Sequence, residues 1–238
     1  MRRNLRLSAL LLSGLFVWSC SEQSPTNTAL TSGDVALSKV GSGATYQVTL
    51  ENLTPATGPG ASQVISPPVL ASHGHFHIFR VGALASVELA QVAEDAVNGP
   101  LVELLGNSAQ VYDVVQGGGV IPPGSSDSFV IRVKRGFNRL SLVAMLVNTN
   151  DGFVGIDQVQ VPLSGSAVYY LQAYDAGSEK NTELKSDIPG PCCGNPGVRV
   201  PTHERVAPHP GILGVGDLDP EVYGWTGPAA KLTISRVD

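Results

Sequence analysis

LSLVAMLVNTNDGFVGIDQVQV, residues 140–161, is the stretch whose reading decides how this chain folds. Leu140 to Val147 is apolar on both faces, as a central strand covered on both sides must be. Asn148-Thr149-Asn150-Asp151-Gly152 is turn chemistry, since Asn and Asp tolerate left-handed backbone and Gly adopts it freely. Beyond the turn, Val154 and Ile156 share one face while Val159 and Val161 lie on the other. That change of phase predicts a bulge near Asp157 and Gln158. The stretch reads as a central hairpin with a carboxylate, Asp151, at its tip.

Outward from the hairpin, strand and turn signals alternate. Tyr46, Val48 and Leu50 alternate with polar residues, which predicts a half-buried strand. Short strands are expected near Gln63 to Ile65 and over His75 to Val81. Ser86 is positioned to cap a helix running through Ala96, and Asn98-Gly99-Pro100 restarts a second through Leu105. This pair is expected to cover one end of the fold, with Glu88, Glu94 and Asp95 on a solvated face. Val111 to Val115 reads as a strand, and Phe129, Ile131 and Val133 mark another beside the hairpin. Ala167 to Tyr174 and Lys231 to Val237 read as strands; residues 178–210, with six prolines, do not. A loop of that length is functional or a packed crossing. The sum is an all-β fold, an antiparallel β-sandwich with a small two-helix insertion.

The chain has 238 residues, enough for one large domain, with 27 Gly, 17 Pro and only 15% charged residues. Such punctuation suits a fold with many turns. Residues 1–19 read as a signal peptide, with Arg2, Arg3 and Arg6 ahead of an apolar run too short to span a bilayer. Val17-Trp18-Ser19-Cys20 resembles a bacterial lipobox, in which Cys20 is acylated and anchors the chain to the membrane. Trp18 departs from the small residue usual there, and an ordinary secretory signal cut nearby is the alternative. Ser21 resembles outer-membrane sorting, which places the protein in the cell envelope. Residues 20–43 read as a flexible tether and 44–238 as the folded domain. Without the three signal arginines, Lys plus Arg falls from 15 to 12 against 20 Asp plus Glu, a net charge near −8. No basic stripe remains, so nucleic acid is not an expected partner.

Asp151 and Asp175 each sit where a strand exits into a Gly-containing turn. The loops of a sandwich gather at its two ends, so the two carboxylates can meet. Oxygen ligands on loops suit calcium; turn chemistry alone is the other reading of both residues. Asp157 is too far along its strand to join them, since six extended residues span about 20 Å.

"MLVNTNDGFVGIDQVQV" and "YDAGSEKN" together resemble the spondin N-terminal domain in its bacterial secreted form. "YQVTLENLTP", "SPPVLASH" and "GDLDPEVYGWTGPAAKLTISRV" extend the likeness over residues 44 to 238. The resemblance implies adhesion by protein or glycan contact, with calcium held by the carboxylates of Asp151 and Asp175. A third ligand that the resemblance implies, a Glu on the preceding strand, is missing, and Arg132 is placed near its position.

His73, His75 and His77 alternate, so a strand would set all three on one face about 6.6 Å apart. With His203 or His209 they would form a zinc- or copper-like site, the basis of an alternative reading as a metal-dependent enzyme or metal carrier. The bland alternative is histidines that stack or hydrogen-bond locally. Adjacent Cys192 and Cys193 read as a redox-sensitive turn, a soft-metal site, or simply a stiffened turn. No G-x-S-x-G, H-E-x-x-H or thiol with a base is present, so catalysis is not expected. Cys20→Ala is expected to move the protein from the detergent to the aqueous phase on Triton X-114 partitioning. Unchanged partitioning would remove the lipoprotein reading.

Overall fold

The computed structural model describes residues 43–238; the signal segment, Cys20 and almost all of the tether lie outside the described residues. Ten strands and three short helices follow in order. They are β1 (Ala44–Asn52), β2 (Val69–His73), α1 (Val87–Asp95), α2 (Gly99–Gly106), β3 (Val111–Gln116), β4 (Ser126–Val133) and β5 (Arg139–Met145). After these come β6 (Gly152–Gln160), β7 (Ser166–Leu171), β8 (Ala173–Asp175), β9 (Ala207–Pro208), α3 (Pro220–Tyr223) and β10 (Ala230–Arg236). All pairings are antiparallel, in a four-stranded sheet β4-β1-β10-β7 and a six-stranded sheet β3-β2-β5-β6-β8-β9. The fold is an all-β sandwich.

Alternation in the sequence builds the core. Tyr46, Val48 and Leu50 of β1, Phe129 and Ile131 of β4, and Leu232 and Ile234 of β10 point inward. They meet Leu140, Leu142 and Ala144 of β5 and Val154 of β6 from the facing sheet. Full burial of one such leucine contributes about 2 kcal/mol. The odd-numbered face of β5 packs elsewhere. Val143 joins Phe153, Val69 and Ala71 against Leu89, Val92 and Ala93 of α1 and Leu101 and Leu105 of α2. The helices therefore cover the outer face of the six-stranded sheet rather than an end of the sandwich. That third layer is why β5 is apolar on both sides. Ser86 caps α1 as its spacing predicts, its hydroxyl accepting from Leu89 N at 3.2 Å.

The bulge lies where the change of phase placed it. Leu140 pairs with Val159 and Leu142 with Ile156, so Asp157 and Gln158 together oppose Ser141, and Gln158 takes φ +56°. Several expectations fail. β4 pairs with β1 in the other sheet and not beside the hairpin, because its apolar face completes the sheet that β1 begins. The predicted strand Ala167–Tyr174 is two strands: the chain leaves one sheet at Leu171 and enters the other at Ala173. Gln63–Ile65 makes a single bridge at Ile65, and His75–Val81 forms no strand. Glu94 is buried and Asp95 is partly so; both pair with Arg199 from the long loop, so the helix face is not solvated.

The segment after β8 is a packed crossing with its own small core of Ile188, Ile212 and Leu218. It runs so close to the hairpin that a Cβ on Gly190 would lie 1.7 Å from Val147 O and 2.4 Å from Asn148 Oδ1. Gly190→Ala is expected to cost about 2 kcal/mol or more in urea unfolding. Gly118→Ala, where an added Cβ meets nothing within 4 Å, serves as the control. Equal midpoints for the two variants would contradict this packing.

Candidate functional site

The tip of the β5–β6 hairpin is not exposed: Asn148, Thr149, Asn150 and Asp151 are all buried. The sequence folds the tip by its own side chains. Thr149 Oγ1 donates to Leu146 O at 2.6 Å and accepts from Gly152 N at 2.9 Å, which closes the turn. β8 pairs alongside β6 with Gly152 opposite Asp175, and Ala176 N donates to Asp151 O at 3.1 Å. The two carboxylates predicted to meet are therefore neighbours.

Their oxygens differ. Asp175 Oδ1 accepts from Gly177 N at 2.7 Å, and Oδ2 accepts from Asn181 Nδ2. Asp151 Oδ2 accepts from Ser178 N at 2.8 Å, Ser178 Oγ at 3.2 Å and Glu179 N at 3.0 Å. Asp151 Oδ1 is buried and has no partner among the described residues. Burial first, then the charge of Asp175, push Asp151 up to about 6, against the pull of the donors from Ser178 and Glu179. Glu179, 4% exposed, is pushed up to about 8 by burial and by Asp151, Asp187 and Asp95, although Asn150 Nδ2 donates to it at 3.1 Å. Carboxylate oxygens dominate this environment, and the buried His209 ring lies against Gly152, close to Asp175. Such a donor set fits a hard cation of the calcium type, which also accepts carbonyl and amide oxygens. Asp151 and Asp175 would hold it. No group of three or more His, Cys, Asp or Glu forms a ligand cluster among the described residues, so two carboxylates make a weak site.

Arg132 does not occupy the place of the missing acid. It lies on β4 in the other sheet, exposed, with its guanidinium bonded to Asp113 at 3.1 Å through both Nε and Nη2. The misplacement follows from assigning β4 to the wrong sheet.

The chain belongs to the spondin N-terminal family. The family model described as Spondin_N matches residues 44–189, well over half of the chain. No curated protein matches it.

In this spondin N-terminal domain the three alternating histidines diverge. β2 ends at His73, and the Asp157 carboxylate at the bulge draws the following segment off the ladder by accepting from Ile78 N at 3.1 Å. His73 is buried, its Nε2 2.7 Å from Ser141 Oγ, and burial lowers its pKa. His75 is exposed. His77 Nδ1 donates to Asp157 Oδ2 at 2.5 Å, and Gln158 Nε2 donates to His77 Nε2 at 2.8 Å. These are structural hydrogen bonds, and the zinc- or copper-site reading is corrected. His203 and His209 do not join them. His209 is buried against Trp225, its Nδ1 accepting from Gly211 N at 3.0 Å. Cys192 and Cys193 are joined in a disulfide, which leaves no thiolate for a soft metal; Cys192 N donates to Asn148 Oδ1 at 3.2 Å.

Sequence reasoning missed Asn148, Asn150, Glu179 and Glu183 as parts of the domain's tip. Glu183 accepts from Leu213 N at 2.6 Å and Val215 N at 2.8 Å. The signal available was two asparagines in a turn that needs only one, and two acids in the segment after Asp175.

The raised pKa of Asp151 sets a pH dependence in calcium-free buffer. The folded state holds this proton more tightly than the unfolded chain, so the contribution is complete below about pH 4. It is lost as pH rises through about 6. Glu179 acts with the same sign, its contribution lost as pH rises through about 8. In EDTA at pH 7, Asp151→Asn is therefore expected to melt above the parent, by up to about 3 kcal/mol in stability. The advantage should vanish near pH 4. A variant that melts below the parent at pH 7 contradicts this account.

Proposed function

We propose that this domain is a binding module of the cell envelope, anchored through lipid on Cys20 and adhering by protein or glycan contact. In this reading a calcium ion at Asp151 and Asp175 organises the loop end. The anchor and the outer-membrane address rest on the signal segment and the cysteine that follows it, and the adhesive role rests on membership of the spondin N-terminal family. That family is not a known enzyme family, and binding rather than catalysis is the role proposed here.

One observation carries the calcium reading. Asp151 is fully buried beside Asp175, yet one of its oxygens has no partner among the described residues. An unpaired buried carboxylate oxygen is costly unless something satisfies it. A cation would leave both carboxylates ionised and tie the hairpin to β8 and the loop that follows. The ion supplies charge compensation and structure, while the surfaces around it supply recognition.

An ion that binds only the folded state stabilises it by about 2.7 kcal/mol at a hundredfold excess over Kd. Millimolar calcium is expected to raise the Tm of the parent at pH 7, and Asp151→Asn or Asp175→Asn should remove most of that gain. Two outcomes defeat the reading: no shift in the parent at those concentrations, or the same shift in parent and variants.

A further inference from the structure

The crossing from β7 to β8 opens a groove that the cation does not touch. Gln172 is the one residue between the two strands, and cavities of about 400 and 510 Å³ flank it. Both are lined by Val81, Gln172 and Tyr174, so they form one continuous groove along the seam of the sandwich. Tyr170, 64% exposed, lines the smaller end, and half-buried Trp225 lines the larger. The frame is rigid. The Tyr174 ring packs on Phe79 at 5.1 Å and on Phe153 at 5.6 Å, and the Trp225 ring lies 5.4 Å from that of His209.

Three aromatic rings therefore present themselves along one channel with their polar groups free. Neither the hydroxyls of Tyr170 and Tyr174, the indole N–H of Trp225 nor the Gln172 amide makes a hydrogen bond among the described residues. The larger cavity is lined by no Asp, Glu, Lys or Arg, and its one titratable side chain other than Tyr174, His209, is pushed toward the neutral ring by burial. Arg80 and the paired His77 and Asp157 line the smaller cavity. An anion in the larger cavity would need a cation that its walls lack, and a wholly apolar ligand would leave the amide and hydroxyls unpaired. What remains is a neutral ligand with flat C–H faces to lie on the rings and with groups that both donate and accept. Gln172, at the midpoint, offers a donor and an acceptor together. Paired hydroxyls on a ring satisfy both, whereas the carbonyls of a proline-rich segment, the other habitual guest of aromatic grooves, only accept. Each cavity alone falls in the range of about 300–1,000 Å³ that small ligands occupy, so together they have room for more than one sugar ring.

We propose that the groove astride Gln172, between Tyr170 and Trp225, binds a neutral oligosaccharide. The inference rests on reading the domain as a binding module, and it does not require calcium.

The mature chain without residues 1–19 keeps Trp225 as its sole tryptophan, so its emission reports on the groove directly. Maltotriose, cellotriose, mannotriose, xylotriose and tri-N-acetylchitotriose, each titrated to millimolar concentration, serve as probes beside a decaproline peptide. A saturable change in emission is expected with at least one trisaccharide. Gln172→Ala and Tyr174→Phe should each weaken it about tenfold or more while the melting temperature stays near that of the parent. Three outcomes overturn the proposal: no response to any of the five sugars, a response to decaproline alone, or sugar binding that both variants retain. Repeating the titration in EDTA separates the two readings. Sugar binding that persists there stands even if calcium gives no thermal shift, and a calcium shift without any sugar response removes the groove alone.

Discussion

The buried tip of the β5–β6 hairpin is what holds the irregular part of this molecule in place. Residues 176–229 contain almost no regular structure, yet their backbone groups must find partners once they are covered. The tip supplies many of them. Asn148 receives Cys192 N and donates to Ser62 O, Asn150 receives Glu183 N, and Asp151 receives the amides of Ser178 and Glu179. Glu183 then extends the scheme outward to Leu213 and Val215. Four side chains thus do what a sheet ladder does elsewhere. Among them, Asp151 is the one with a carboxylate oxygen left unpartnered among the described residues, so the same device that orders the loop leaves an unsatisfied acceptor at the candidate site.

The layers above and below β5 explain why such a tip can exist. Apolar cover on both faces leaves the strand no solvent side, and the turn that follows it inherits the burial. At the other end of the hairpin the bulge solves a related problem. It interrupts the ladder at Ser141 but places Asp157 to receive Ser141 Oγ, Ile78 N and His77 together. The segment between β2 and α1 is moored to that one carboxylate, and it forms one wall of the groove beside Gln172.

Much of this was legible in the sequence wherever one residue pattern had one structural solution. The apolar β5, the turn, the bulge and the capped α1 follow from local periodicity and turn chemistry, and the chance for Asp151 to meet Asp175 follows from the way a sandwich gathers its loops at two ends. What was not legible depended on which sheet an element joins. The alternation in β4 says that one face is buried, but not against which partner, and Arg132 was misplaced for that reason. The run Ala167–Tyr174 carries strand chemistry throughout, and only the exposed Gln172 between two inward residues hints that it changes sheets. Alternating histidines look like a shared face only while the chain stays extended, and the pull of Asp157 on Ile78 ends that. Buried Glu94 was hidden by its helical position, because its partner Arg199 lies more than a hundred residues away.

The place of β10 has a bearing on how such a domain comes together. The last strand of the ten lies between β1 and β7, with Leu232 opposite Leu50 on one side and Tyr169 on the other. The four-stranded sheet is thus closed by joining the two ends of the described chain, a pairing of high sequence separation that forms slowly. Until β10 arrives, β7 has no neighbour in that sheet and β1 has one of its two edges unpaired. The stretch that matches the family ends at residue 189, short of both β10 and the Trp225 wall. A fragment cut at that boundary would carry the family's signature and lack the strand that makes it a sandwich.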